Sequence, residues 1–162
     1  GGWGGRKIGA DGPWVHVVDG KAVRDSETTG NGGSHGPRNP FQVVHIDTTH
    51  PITKGLPEKW LHQKDELYCR LCGPALNMEV QGYAASPMTK RNEPMLMTIA
   101  YGDGRVFHTP MGHDVEAMRC RGFFTIMQRG TEWAATGAVK RTARVPKDFP
   151  TADKVSVVPA PK

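Results

Sequence analysis

The pattern of apolar and polar positions divides the chain into several strand-like stretches followed by one helix-like stretch. Short alternating runs predict strands over residues 41–47, 65–71, 77–85, 94–101 and 105–109. The stretch 94–101, PMLMTIAY, is the most apolar of these. We expect it to be the central strand, because a strand buried on both faces reads as a continuous apolar run.

After the last of these strands the apolar spacing becomes helical and predicts one long helix over residues 115–136. Asp114 can cap the start of this helix, and Gly137 is suited to its C-terminal end. The corner at His113 and Asp114 therefore lies between a strand and a helix, where open α/β folds place their sites. The face predicted to pack on the sheet comprises Val115, Met118, Phe123, Ile126, Met127 and Ala134.

This order of elements predicts a single α/β domain over residues 1–137 and an extended, proline-rich tail over residues 138–162. Residues 1–40 are rich in glycine, and we expect them to contribute no core. A parallel sheet needs helices on both faces, but the pattern supplies only one helix. Either another chain or a further segment covers the second face, or the sheet is partly antiparallel.

Composition adds few constraints on function. The chain has 162 residues and a formal net charge of +5, but its basic residues are scattered and no nucleic-acid-binding motif is present. No apolar run approaches the roughly 20 residues of a membrane span. The first residues show no signal peptide. We expect a periplasmic or secreted protein if a signal peptide precedes Gly1, and a cytoplasmic one otherwise.

The three cysteines, Cys69, Cys72 and Cys120, are an odd number, which argues against a disulfide framework. Cys69 and Cys72 lie three residues apart in a predicted strand and therefore on opposite faces. We expect no disulfide between them and no reactive thiol.

Three residues form a candidate site for a metal ion. His35 lies in a glycine-rich loop, Glu66 in a strand-like run, and His113 beside the predicted helix N-terminus. Two histidines and a carboxylate with an open position suit zinc or a similar divalent ion, which could polarise a carbonyl or activate water. Each histidine could instead be structural and hydrogen-bonded to backbone.

Other polar residues are weaker candidates. Asp114 could act in catalysis by orienting His113, or it could serve only as the helix cap. Arg91 and Glu93 flank the start of the predicted central strand and are candidate substrate-binding residues. Arg91 could bind a hydroxyl or carboxylate of a sugar, or the two could form a surface ion pair. His108 is a third candidate substrate-binding residue. No nucleophile elbow and no Rossmann or Walker glycine pattern is present.

Five segments in this order resemble the trehalose-utilization, or ThuA-like, family: HPITKGLP (50–57), DELY (65–68), RNEPML (91–96), GDGRVFHTPMGH (102–113) and RGTEWAATG (129–137). The likeness runs from about residue 1 to residue 153. It implies a flavodoxin-like three-layer sandwich similar to class I glutamine amidotransferases. Members carry further chain before the GGWGG segment, so we expect the sandwich to be incomplete at the N-terminus.

The resemblance also implies a function in sugar catabolism, which in this family includes steps on 3-keto-glycosides, with a metal ion in some members. We expect a metal-assisted hydrolase or lyase on a glycoside or 3-keto-glycoside. His35 and His113 match family motifs and would hold the ion, with Glu66 as third ligand or base. The expected partners are a small carbohydrate and a second copy or chain that completes the sheet. The alternative is a non-catalytic carbohydrate-binding or assembly module that kept the fold.

Overall fold

The structure is a computed structural model that describes residues 6–7, 13–25, 31–73 and 75–159. In this part of the chain, β-strands precede two helices near the C-terminal end. The strands are β1 (Arg6–Lys7), β2 (Val15–Val18), β3 (Lys21–Arg24), β4 (Asn31–Gly32), β5 (Ser34–His35), β6 (Asn39–His45), β7 (Lys59–Asp65), β8 (Tyr68–Cys69), β9 (Met78–Ala85), β10 (Asn92–Tyr101) and β11 (Gly104–His108). The helices are α1 (Val115–Met118) and α2 (Arg121–Thr136).

The main sheet has seven strands, ordered β3-β2-β10-β9-β6-β7, with β11 beside β10. Every described strand pair is antiparallel, so the protein is a mixed α/β structure with a mostly antiparallel sheet. Strand β10 pairs with β9 along one edge, and with β2 and β11 at the two ends of its other edge. The prediction that residues 94–101 form the central strand is confirmed.

The structure differs from the strand predictions at two places. It forms β7 mainly in residues 60–64, to which the sequence pattern assigned no element, and of the predicted strand 65–71 only Asp65, at the end of β7, and Tyr68–Cys69 lie in strands. Strand β7 buries Trp60, His62 and Asp65 on one side. Because two of these inward residues are polar, the apolar alternation that marks a strand was absent. Residues 15–18, expected to contribute no core, form β2, whose Val15 and Val17 are buried.

The predicted long helix is interrupted at Arg119 and Cys120. The N–H of Arg121 donates to the Ser156 carbonyl, and the Arg119 carbonyl accepts from the N–H of Val158. Cys120 thus forms an antiparallel bridge with Val157. In a continuous helix, the Arg119 carbonyl and the Arg121 N–H would bond within the helix. Here they bond to the C-terminal segment, so α1 ends and α2 begins at this point. Asp114 caps α1, and Gly137 ends α2 in the left-handed conformation, both as predicted.

The buried face of α2 differs from the predicted one. Phe123 and Ile126 are buried in the main core as expected, whereas Val115, Met118 and Met127 are exposed. The remaining buried positions on α2 include two glycines and an arginine, residue types that an apolar pattern does not select. A Cβ at Gly122 would overlap the Trp60 ring, and one at Gly130 would overlap Phe107. These glycines let α2 pack directly on aromatic rings of the sheet.

A buried arginine joins α2 to two distant segments. Arg129 has no exposed surface, and its guanidinium donates to the carbonyls of Ile52, Lys54, Thr142 and Ala143 at 2.6–3.2 Å. Four carbonyl dipoles satisfy this buried cation. The arginine thereby fixes the connection after β6 and the start of the C-terminal segment on one face of α2.

The C-terminal segment, residues 138–159, has no helix or long strand, yet it packs along the edge of the sheet. The carbonyl of Thr151 accepts from the N–H of Leu61 in β7 at 2.7 Å. The carbonyl of Ala152 accepts from the Gln42 side chain, also at 2.7 Å. Because β7 is the last strand on this side, the segment occupies an edge that would otherwise present unpaired backbone groups.

His45, at the end of β6, ties its strand to the core in its neutral form. Its Nδ1 donates to the Pro57 carbonyl at 2.9 Å, and its Nε2 accepts from the Trp60 indole at 3.1 Å. Protonation of Nε2 would remove this acceptor. Burial lowers the pKa of His45 from 6.5 to about 4.

We expect this residue to make stability fall in mild acid. An unfolded histidine binds a proton near pH 6.5, and folded His45 does so only near pH 4. The stability is therefore complete above pH 6.5 and declines by about 3 kcal/mol as the pH falls to 4. Urea unfolding across this range should show a shallower decline for His45→Gln than for the parent. Equal slopes for the two proteins would contradict this explanation.

Candidate functional site

One carboxylate oxygen is the centre of the candidate site. Glu66 Oε2 accepts from the Tyr68 hydroxyl at 3.0 Å, lies 3.0 Å from His113 Nδ1 and lies 3.6 Å from His35 Nε2. The Glu66 side chain is only 13% exposed, whereas those of His35 and His113 are 44% and 43% exposed. The three residues predicted to form a metal site are thus brought together, with Tyr68 added.

The sheet brings these residues together at the end of β7. Glu66 follows the last residue of β7, and the short β5–β8 pairing sets His35 opposite Tyr68. The His35 and Tyr68 rings lie with centroids 5.3 Å apart. His113 comes from the corner between β11 and α1. Three segments distant in sequence therefore meet at one exposed surface.

The buried carboxylate of Asp65 holds this surface in place. It accepts from the N–H groups of Glu66, Gly112 and His113 at 2.8, 2.7 and 3.1 Å, and from His62 Nε2 at 2.8 Å. Because the backbone N–H groups of Glu66 and His113 donate to the same carboxylate, their backbones are held close together. The positions of both Glu66 and His113 therefore depend on the Asp65 carboxylate.

Asp65 and His62 form a buried ion pair. Burial opposes ionisation of Asp65, but the hydrogen bonds from His62 and from the Gly112 N–H lower its pKa overall. Burial likewise opposes protonation of His62, but the bond to Asp65, with a contribution from Cys120, raises its pKa overall. Both shifts favour the charged forms, which make the stronger hydrogen bond.

The hydrogen bond of His35 fixes which of its ring nitrogens faces the site. Its Nδ1 lies 3.0 Å from the Gly36 carbonyl, which can only accept. In the neutral ring Nδ1 therefore carries the proton, and the lone pair of Nε2 faces Glu66. Histidine ligands of metal ions are commonly oriented in this way.

Tyr68 remains a hydrogen-bond donor. Burial and, after it, the neighbouring Glu66 carboxylate raise the pKa of the Tyr68 phenol. The phenol therefore keeps its proton at neutral pH and directs it towards Glu66.

Asp114 contacts other groups than the His113 ring. Its Oδ1 caps α1 by accepting from the Ala117 N–H at 2.9 Å, and its Oδ2 lies 2.5 Å from an Arg38 nitrogen. The same Arg38 nitrogen lies 3.0 Å from Glu116. The cap role is confirmed, while a catalytic role for Asp114 stays a prediction. Arg38, which joins the His35 loop to the start of α1, was missed in the sequence.

The three predicted substrate-binding residues lie away from Glu66. Arg91 and Glu93 line a separate small cavity together with Trp14 and Arg70. His108 lines an apolar groove of about 500 Å³ beside β10, and burial lowers the pKa of His108. The structure does not bring these residues to the cluster around Glu66.

The residues that organise the site had only weak signals in the sequence. Asp65 begins the DELY segment, so a carboxylate directly before Glu66 was visible, but nothing indicated that it is buried. His62 has no motif around it. Cys120 is buried beside His62, which, together with backbone N–H groups, lowers its thiol pKa against the effect of burial. All three cysteines are free, as expected.

No three His, Cys, Asp or Glu side chains in the described part of the chain already surround a space suited to a metal ion. Glu66 instead contacts His113 directly. The chemical types nevertheless fit, because two imidazole nitrogens and one carboxylate oxygen meet. The oxygen lies 3.0 and 3.6 Å from the two nitrogens. Ligands of a tetrahedral zinc ion lie about 3.3 Å apart, a separation between these two values.

The cluster thus consists of a carboxylate flanked by two imidazoles and a phenol, on an α/β scaffold. The model of the ThuA (trehalose utilisation) family matches residues 2–134. The chain therefore belongs to the ThuA, or trehalose utilisation, family.

The fold is also similar to the crystal structure of a ThuA-like protein from Parabacteroides merdae. The TM-score is 0.88 and the sequence identity 45%, over 98% of this chain and 59% of that chain. The chain thus spans 59% of the length of this solved relative. A search of curated proteins finds no match. Within the described residues, no helix is long and apolar enough to cross a membrane.

We expect Asp65→Asn to lower the free energy of unfolding by about 3 kcal/mol at pH 7, because it leaves a buried histidine and several N–H groups without their charged acceptor. Asp148→Asn is the control, since it removes only an exposed carboxylate paired with Arg121. Urea denaturation measures both changes.

The difference between the parent and Asp65→Asn should shrink in acid. The pKa of Asp65 is lowered from 3.8, so its contribution is present above that pH and is lost as the pH falls through the folded-state pKa. A cost for Asp65→Asn no greater than that for Asp148→Asn would show that Asp65 does not hold the site.

Proposed function

We propose that this protein acts on a glycoside or 3-keto-glycoside in sugar catabolism, by acid–base chemistry at Glu66 and His113. The observation that carries the proposal is the convergence of Tyr68, His113 and His35 on one oxygen of Glu66. The family supports a sugar as the substrate class. The reaction itself is our inference from the geometry.

The steps are clearest for a 3-keto-glycoside. Glu66 takes the proton from the carbon between the keto group and the anomeric carbon. The electron pair of that C–H bond forms a double bond to the anomeric carbon as the glycosidic C–O bond breaks. The leaving oxygen takes a proton from His113 in its protonated form. General acid–base catalysis of this kind contributes about 10²–10⁴-fold to a rate.

The contact between Glu66 and His113 would then complete the cycle. After elimination Glu66 holds a proton and His113 has lost one. The two groups lie 3.0 Å apart, so the proton can return directly to His113. Tyr68 donates to the same carboxylate oxygen and would keep it oriented towards the substrate.

A divalent metal ion at this cluster is the alternative to the acid–base cycle, because it would bind the two atoms between which the proton returns. His35 Nε2, His113 Nδ1 and Glu66 Oε2 would hold it, and it would supply polarisation of the substrate keto group. The tautomer of His35 supports this assignment, because its Nε2 lone pair faces the cluster. An ion there would replace the direct contact between Glu66 and His113.

The proposed architecture is the flavodoxin-like three-layer sandwich that the resemblance implies. Helix α2 covers one face of the sheet. The other face carries an apolar groove, which a further layer supplied by more chain or by a second copy would cover. The alternative function, a non-catalytic carbohydrate-binding or assembly module, is supported by the exposure of His35 and His113.

We expect Glu66→Gln to lower the rate of sugar release from 3-keto-trehalose by about 10²-fold or more, because the amide cannot accept the proton. Glu58→Gln, which changes an exposed glutamate paired with Lys59, should react at the parent rate. Product release followed by chromatography measures both. Equal rates for Glu66→Gln and the parent would remove Glu66 from the mechanism. A parent that binds the sugar without turnover would favour the non-catalytic module.

We expect His113→Ala to abolish binding of zinc. Excess zinc should raise the melting temperature of the parent, because a ligand that binds only the folded state stabilises it by about 2.7 kcal/mol at 100 times its dissociation constant. It should not do so for His113→Ala. His50→Ala is the control, since His50 packs against Trp133. Equal zinc binding by the parent and His113→Ala would place any ion elsewhere.

A further inference from the structure

A second polar cavity lies beside β8 and is separate from the cluster around Glu66. Its volume is about 190 Å³, and its walls include Trp14, Arg70, Thr89, Arg91 and Glu93. Cavities that hold drug-sized ligands are larger, about 300–1,000 Å³. An occupant of this one is therefore limited to about one sugar ring.

Arg70 adopts a backbone conformation that is unfavourable for its residue type. Its φ is +57°, in the left-handed region that costs an ordinary residue about 1–2 kcal/mol. Two hydrogen bonds hold it there: its N–H donates to Glu93 Oε2 at 3.1 Å, and its carbonyl accepts from the Gly33 N–H at 2.8 Å. Backbone strain of this kind is common at ligand-binding positions.

The strained backbone sets the Arg70 guanidinium over the Trp14 ring, 5.0 Å from its centroid. Arg91, the other arginine of the cavity, is already paired with Asp25, which also lies 3.5 Å from His16. Among the described residues, no carboxylate forms a salt bridge with the Arg70 guanidinium, although its positive charge acts on the nearby Glu93 carboxyl group and favours the ionised form. Its planar set of N–H donors matches the two oxygens of a carboxylate.

The opposite wall suits hydroxyl groups. Glu93 is 1% exposed, and its two oxygens accept from the Thr89 hydroxyl at 2.7 Å and from the Arg70 N–H. Burial raises the pKa of Glu93, with its hydrogen bonds acting in the opposite direction. A carboxyl group that retains its proton to higher pH can both donate to and accept from a sugar hydroxyl. The Trp14 ring offers an apolar surface to the C–H face of the same sugar.

We propose that this cavity binds a monosaccharide that carries a carboxylate, with Arg70 gripping the carboxylate, Glu93 and Thr89 contacting hydroxyl groups and Trp14 contacting the ring. The site does not depend on the reaction proposed for Glu66. It would give Glu93 the sugar-binding role expected from the sequence, at a place distinct from the cluster, while Arg91 stays paired with Asp25.

The test is calorimetric titration of the full chain with D-glucuronate, D-glucose and D-glucose 6-phosphate. We expect D-glucuronate to bind and D-glucose to bind roughly tenfold more weakly or worse, because it lacks the charged group. Stronger binding of D-glucose 6-phosphate than of D-glucuronate would overturn the carboxylate assignment. Absence of binding by all three would overturn the proposal.

Variants locate the binding. Arg70→Gln and Arg70→Lys should each weaken D-glucuronate binding roughly tenfold or more, the lysine because it keeps the charge but loses the planar pair of donors. Arg121→Gln, which removes a surface arginine paired with Asp148, should bind like the parent. Circular dichroism and melting curves establish that each variant is folded.

Two further measurements distinguish binding in this cavity from binding at the cluster around Glu66. Glu66→Gln should bind D-glucuronate like the parent, and a loss there would show that the ligand occupies the Glu66 cluster instead. The indole N–H resonance of Trp14, assigned by its disappearance in Trp14→Phe, should shift on addition of D-glucuronate. An unchanged resonance at saturation would overturn the placement even if Arg70→Gln had lost binding.

Discussion

The candidate site depends on one buried charge, the carboxylate of Asp65. It has no exposed surface and accepts from three backbone N–H groups and from His62. A buried carboxylate is tolerated only where donors surround it. The chain must therefore bring the end of β7 and the corner before α1 to the same point. The position of Glu66 relative to His113 follows from that requirement.

The short strand β8 separates two environments. Tyr68 faces the cluster around Glu66, Cys69 is buried, and Arg70 lines the cavity beside Trp14. Three consecutive residues thus face the Glu66 cluster, the core and a second pocket. The left-handed backbone at Arg70 ends the strand and redirects the chain. This segment is held by its pairing with β5 and by hydrogen bonds from the Cys69 thiol to Ser34 and from the Arg70 N–H to Glu93, rather than by membership of the main sheet.

The sequence predicted the central strand, the helix caps and the meeting of His35, Glu66 and His113, the last through family motifs. It did not predict β7, because His62 and Asp65 point inward and interrupt the apolar alternation. It also did not predict the break at Cys120, since that break is made by backbone pairing with Val157, far along the chain. Local patterns carry information on local preferences. Local patterns do not indicate which distant segments pair, or which polar residues are buried together with their partners.

The C-terminal segment has a consequence for the order of events during synthesis. Arg129 needs the carbonyls of residues 142 and 143, β7 is covered by residue 151, and the gap between the helices is filled by residues 156–158. A nascent chain that has emerged from the ribosome only as far as α2 would hold Arg129 with two of its four carbonyl acceptors missing, and an uncovered sheet edge. Folding of this domain is therefore expected to finish only after residues 151–158 have been synthesised, and a chain stalled before residue 150 would be a target for chaperones and proteases.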